Sequence, residues 1–72
     1  MIDEMSTFNV EGIIIEVLAG YQLAHVRTQD GAIYGVNSQT PGVKFEELQL
    51  GQRVRLDVTA KFGRVLHAQL MG

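Results

Sequence analysis

The sequence predicts an all-β domain, a small five-stranded barrel with one short helical turn between strands three and four. Val54, Leu56 and Val58 alternate with charged or polar residues, which is the period of a strand with one face in a core. The segment that precedes this strand, Gly42 to Leu50, contains a single amphipathic turn, and no other segment has the pattern of a helix.

Three strands are expected in the first half of the chain. The first is rich in Ile and Val and contains Gly12, which predicts a bulge or bend. Ala19-Gly20 predicts a tight turn, and Gln29-Asp30-Gly31 is typical of a hairpin. The predicted strands are Phe8 to Leu18, Tyr21 to Thr28, and Ala32 to Asn37.

A long connection and a closing hairpin are expected in the second half. Ser38 to Leu50 contains Pro41, and after it a helical turn that points Phe45 and Leu48 inward. Strand four is predicted at Gln52 to Ala60, the turn at Lys61-Phe62-Gly63, and strand five at Arg64 to Met71, where Leu66, Ala68 and Leu70 share one face.

Length and composition limit the possible functions. A chain of 72 residues forms one domain, here residues 8–72 after a loose tail at 1–7. The absence of cysteine excludes a disulfide and a thiolate metal site, and favours a cytoplasmic location. No apolar run is long enough to cross a membrane. The net charge of -2 argues against a strongly basic nucleic-acid binder, although cations gather in the last third of the chain.

Three strands, a longer crossing segment and a closing hairpin match an OB-fold better than a sandwich, with an SH3-like barrel as the alternative. Glu11 to Gly31 resembles the start of the S1-like domain of bacterial translation initiation factor 1. Gly42 to Val58 resembles the connection into strand four of cold-shock domains, with a lysine, an aromatic and a Gly-Gln-Arg-Val run. These resemblances imply an OB-fold that binds single-stranded RNA or DNA.

The candidate binding surface is the face of strands two and three. Single-stranded nucleic acid is held by aromatic rings that stack on bases and by cations along the backbone. Tyr21, Leu23, His25 and Arg27 share one face of strand two, with Tyr34 expected beside them on strand three. If this face points outward it is a binding surface; alternatively, Tyr21 and Leu23 point into the core.

The closing hairpin supplies further candidates. Arg53, Arg55 and Lys61 are expected to contact phosphates, or else to form the ordinary solvated face of a strand. Phe62 is expected either to stack on a base from the hairpin tip or to cap the end of the barrel.

No arrangement of catalytic residues, metal ligands or cofactor-binding loops can be assembled from the sequence, so a non-enzyme without cofactors is expected. The predicted function is weak, salt-sensitive binding of single-stranded nucleic acid. The alternative is a protein-interaction barrel, or a homodimer formed through strand one or five, with Ile13, Ile15, Val65 and Met71 as outward apolar residues.

Overall fold

The computed structural model describes residues 6–72, which form one curled antiparallel sheet. Its strand order is β3-β2-β1-β4-β5, and the two edge strands approach each other to give an OB-like barrel. The predicted fold class is therefore confirmed. The strands are β1 Thr7–Leu18, β2 Leu23–Thr28, β3 Ile33–Asn37, β4 Arg53–Thr59 and β5 Val65–Leu70, with 3-10 turns at Ala19–Tyr21 and Phe45–Glu47.

Strand β1 is the centre of the sheet because it pairs with two partners. Its first half lies against β4 and its second half against β2, and Gly12 and Ile13 pair with both. A Cβ at Gly12 would lie 2.6 Å from the carbonyl oxygen of Arg27, so glycine permits the close approach of β2. The bulge predicted at Gly12 is not there: Gly12 pairs regularly with Thr28, and the register shift lies between Ile14 and Glu16.

The core fills the inside of the curled sheet. Val54, Leu56 and Val58 are fully buried, which confirms the alternation predicted for β4. The turn within the connection between β3 and β4 also points inward as predicted, with Leu48 buried and Phe45 packed against the core. The other buried apolar residues are Ile14, Ala24, Val26, Val36 and Ala68.

The connection between β3 and β4 lies against the edge of β5. The amide of Ala68 donates a hydrogen bond to the carbonyl of Pro41 at 2.9 Å. Gly42, with a φ of +96°, follows so closely that a Cβ would lie 2.1 Å from the carbonyl oxygen of Ala68. The loop therefore covers part of an edge strand that would otherwise expose its backbone groups.

Further sequence predictions differ from the structure in β2 and β5. Strand β2 begins at Leu23 because Ala19–Tyr21 forms a 3-10 turn that ends at Gln22 in a left-handed conformation. Val65, predicted to face outward, packs against the core. Leu66, predicted to face inward, is 40 % exposed because a register shift in the β4–β5 pairing leaves it unpaired.

Most of the predicted tail, residues 1–5, lies outside the described residues, while Thr7 already belongs to β1. No helix in the described part of the chain has the length and apolar character that a membrane crossing requires.

Candidate nucleic-acid interface

The outward side of β2 carries three of the four side chains that the sequence assigned to it, namely Leu23, His25 and Arg27. Ala24, Val26 and Thr28 are buried, which places the alternate residues on the outer face. His25 and Arg27 lie on this face. The alternative in which Leu23 points into the core is excluded by this alternation.

Tyr34 does not lie on this surface. The register of the β2–β3 hairpin places it directly opposite the buried Val26, and it packs against the core. A shift of one residue in register moves every side chain to the other face, so the prediction that Tyr34 lies beside His25 is wrong. The outward positions of β3 carry no aromatic ring; they are Ile33, Gly35 and Asn37.

The two most exposed rings stand in loops instead. Tyr21 is 82 % exposed in the turn between β1 and β2, so it is not part of the strand face predicted for it. Phe62 is 73 % exposed in the loop between β4 and β5, which excludes a role as a buried cap of the barrel. The Nζ atom of Lys61 lies 5.3 Å from the centroid of the Phe62 ring, a cation–π contact that leaves the ring in solvent.

Arginine and isoleucine alternate in one row across the outer face. Ile33 pairs with Arg27, Arg27 with Ile13, and Ile13 with Arg53, so the row crosses β3, β2, β1 and β4. Neighbouring strands lie about 4.8 Å apart, which puts the two arginine backbones at roughly 10 Å. A groove runs beside this row and is lined by Ile13, Ile15, Arg27 and Arg53, among others.

Carboxylates on the same face oppose most of its cations. The Glu11 carboxylate lies 3.3 Å from Arg53 and 3.5 Å from Arg55, and Glu16 lies 2.7 Å from His25. These groups are exposed, and exposed ion pairs contribute little free energy, so the arginines can exchange Glu11 for another anion. Arg27 is different, because within residues 6–72 it forms no ion pair.

The acidic residues of β1 are the part of the site that the sequence did not reveal. Glu11 and Glu16 are an odd number of positions apart and would lie on opposite faces of a regular strand. The bulge at Ile15 restores both to the outer face, where they meet β4 and β2. No residue pattern in the sequence fixes the position of that bulge.

The β2–β3 hairpin borders the groove and is held by Asp30. Its Oδ1 accepts hydrogen bonds from the Thr28 hydroxyl and, at 3.3 Å, from the Ala32 amide. The hydrogen bond from Thr28, followed by that from Ala32, lowers the pKa of the Asp30 carboxyl below its usual 3.8. Asp30 is therefore ionised at neutral pH.

The structure thus places His25, Arg27, Arg53 and Arg55 on one outer face, and Tyr21, Lys61 and Phe62 in the two loops. Among residues 6–72, no three His, Asp or Glu side chains come close enough together to hold a metal ion. Comparisons of the chain with protein-family models, curated proteins and solved structures found no match.

Proposed function

We propose that this domain binds single-stranded RNA or DNA without catalysis. The observation that carries the proposal is the position of the two exposed rings, Tyr21 and Phe62. They occupy the β1–β2 and β4–β5 loops, which are the loops that OB-folds use together with the outer face of strands two and three. Rings at these positions offer flat, solvated surfaces on which bases can stack.

The cations of the outer face complete the proposed site. Arg27 has no carboxylate partner in the described chain, and Arg53 and Arg55 hold Glu11 only through exposed contacts. We assign phosphate contacts to these three arginines and to Lys61, and a polar contact to His25. Tyr34 receives no role in stacking, because it packs on the inner side of β3.

The same geometry limits the affinity. Three carboxylates, Glu11, Glu16 and Asp57, lie on the face that would meet the polyanion, and β3 contributes no ring. We therefore expect weak binding that depends on low salt and has little base preference. A chain without cysteine suits a reducing compartment, so we extend the proposal to a cytoplasmic nucleic acid.

The test compares ring removal with the removal of an equally exposed apolar side chain. Tyr21→Ala and Phe62→Ala should each weaken binding of short pyrimidine-rich and purine-rich oligonucleotides by roughly ten-fold, because stacking contributes ~1–3 kcal/mol per base. Leu50→Ala is the control, since Leu50 is 67 % exposed and outside the proposed site. The affinities are measured by fluorescence anisotropy at low salt.

Amide NMR spectra recorded during the same titrations locate the surface. Shifts that concentrate on the two loops and on β2 support the proposal. Absence of binding by the wild-type chain at low salt would contradict it. Equal affinities for a chain that carries both Tyr21→Ala and Phe62→Ala and for Leu50→Ala would contradict it too.

A further inference from the structure

An apolar patch remains on the outer face that nucleic-acid binding does not use. Ile13 is 48 % exposed, Ile15 46 % and Ile33 51 %. Ile13 and Ile15 line the groove beside the arginine row, and Ile33 stands at the end of that row. Several exposed isoleucines on one sheet face are typical of a surface that meets another protein.

The charges of the groove indicate what kind of protein fits it. Arg27 and Arg53 contribute two positive charges to its lining, and Glu11 and Asp30 contribute two negative charges. Arg53 is paired with Glu11 at 3.3 Å, and Arg55, outside the groove, shares the same carboxylate. Arg27 and Asp30 form no ion pair within the described chain, so the surface offers one unpaired charge of each sign.

A surface with both unpaired charges and an apolar centre is complementary to itself. In a two-fold symmetric contact, a residue i meets residue j of the second copy while j meets i. We infer that a second copy of this chain docks on the groove, with each Arg27 guanidinium against the Asp30 carboxylate of the other copy and the isoleucines packed between the sheets.

The hairpin geometry suits Asp30 to this contact. Its Oδ1 atom is engaged by Thr28 and Ala32, which fixes the carboxylate at the border of the groove. No hydrogen bond within the described chain engages its Oδ2 atom.

Arg27 also belongs to the proposed nucleic-acid site. The second copy and an oligonucleotide would therefore compete for Arg27, so self-association is tested in the absence of nucleic acid.

Sedimentation equilibrium of the full chain measures the association. The wild-type mass should rise from 8.0 kDa toward twice that value between micromolar and millimolar concentration. Ile13→Asp should remain monomeric, because its carboxylate would lie between Arg27 and Arg53 in the sheet and remove the apolar centre. Asp30→Asn keeps the Oδ1 acceptor and should weaken the dimer by roughly ten-fold through the loss of two ion pairs.

Leu66→Asp is the matched control, since Leu66 is 40 % exposed on β5 and outside the groove. It should dimerise like the wild type. The inference is overturned by a wild-type mass that stays at 8.0 kDa, by an Ile13→Asp chain that dimerises normally, or by a Leu66→Asp chain that loses the dimer.

NMR dilution of the wild-type chain gives a second measurement that does not depend on a variant folding. Amide shifts that change with concentration should concentrate at Ile13, Arg27 and Asp30. Concentration-dependent shifts confined to another surface would place the contact elsewhere and overturn the inference.

Discussion

Gly42 is required both by its backbone conformation and by the space around it. It combines a φ of +96° with a position where a Cβ would lie 2.1 Å from the Ala68 carbonyl oxygen and 2.5 Å from Nε2 of His67. The first feature alone costs a non-glycine residue about 1–2 kcal/mol. The clash of an added Cβ would push the loop away from β5 and weaken the hydrogen bond between Ala68 and Pro41.

We therefore predict that Gly42→Ala lowers the free energy of unfolding by more than about 2 kcal/mol. Gly51→Ala separates the two causes, because Gly51 has a φ of +85° but open space around its Cβ position. It should lose only about 1–2 kcal/mol. Urea unfolding of both variants measures the difference, and equal losses would show that the contact with β5 contributes nothing.

Asp30 gives the fold a local dependence on pH. Its pKa is lowered in the folded chain, so the ionised carboxylate stabilises the fold above the usual 3.8, and this contribution disappears as the pH falls through the lowered value. Asp30→Asn should thus be less stable than the wild type at neutral pH, with the difference narrowing in acid. Thermal unfolding of both chains at several pH values, at concentrations where they are monomeric, measures this difference in stability. A difference that stays the same at every pH would contradict the stabilising role of the ionised Asp30 carboxylate.

At the scale of elements, the sequence predicts whatever depends on regular alternation. The three buried residues of β4 and the inward turn at Phe45 and Leu48 follow from residue type and spacing. The bulge at Ile15 and the outward Leu66 do not, because any residue type can occupy a bulge and the partner strand decides where the extra residue lies.

In the candidate site too, the sequence predicts which face of a strand a residue occupies but not the register between strands. His25, Arg27, Arg53 and Arg55 lie on the outer face because the period of β2 and β4 puts them there. Tyr34 was misplaced because the register of its hairpin depends on turn geometry that the residues Asp30-Gly31 do not fix uniquely. The resemblance to cold-shock and S1-like domains stays a prediction.

The β1–β2 turn carries a strain that substitution can relieve. Gln22 ends the 3-10 turn at a φ of 50°, a left-handed conformation that costs a non-glycine residue about 1–2 kcal/mol. Gln22→Gly removes this strain at a smaller cost in chain entropy, so we predict a gain of roughly 0.5 kcal/mol in unfolding free energy. Gln69→Gly, within β5, should instead destabilise the domain. Chemical denaturation measures the free energy of unfolding of both variants. A lower value for Gln22→Gly than for the wild type would contradict the prediction.

At the scale of the whole molecule, charge sets how binding responds to salt. Four cations are assigned to phosphates, while the chain as a whole carries a net charge of -2. For single strands, each neutralised phosphate contributes about -0.7 to the slope of log K against log salt, so a slope no steeper than about -3 is expected. Arg27→Gln should make it shallower by roughly 0.7. Anisotropy titrations at several salt concentrations measure both, and a flat slope would exclude phosphate contacts.

The central position of β1 has a consequence for synthesis of the protein on the ribosome. β1 is made first, and β2 can pair with its second half as soon as the hairpin emerges. Its first half must wait for β4, whose paired residues lie more than 40 positions later, as in Gly12 and Val54. Until β4 emerges, the nascent chain exposes the unpaired edge of β1, which can pair with a wrong strand. The length of this interval is the time needed to translate β3 and the connection that follows it.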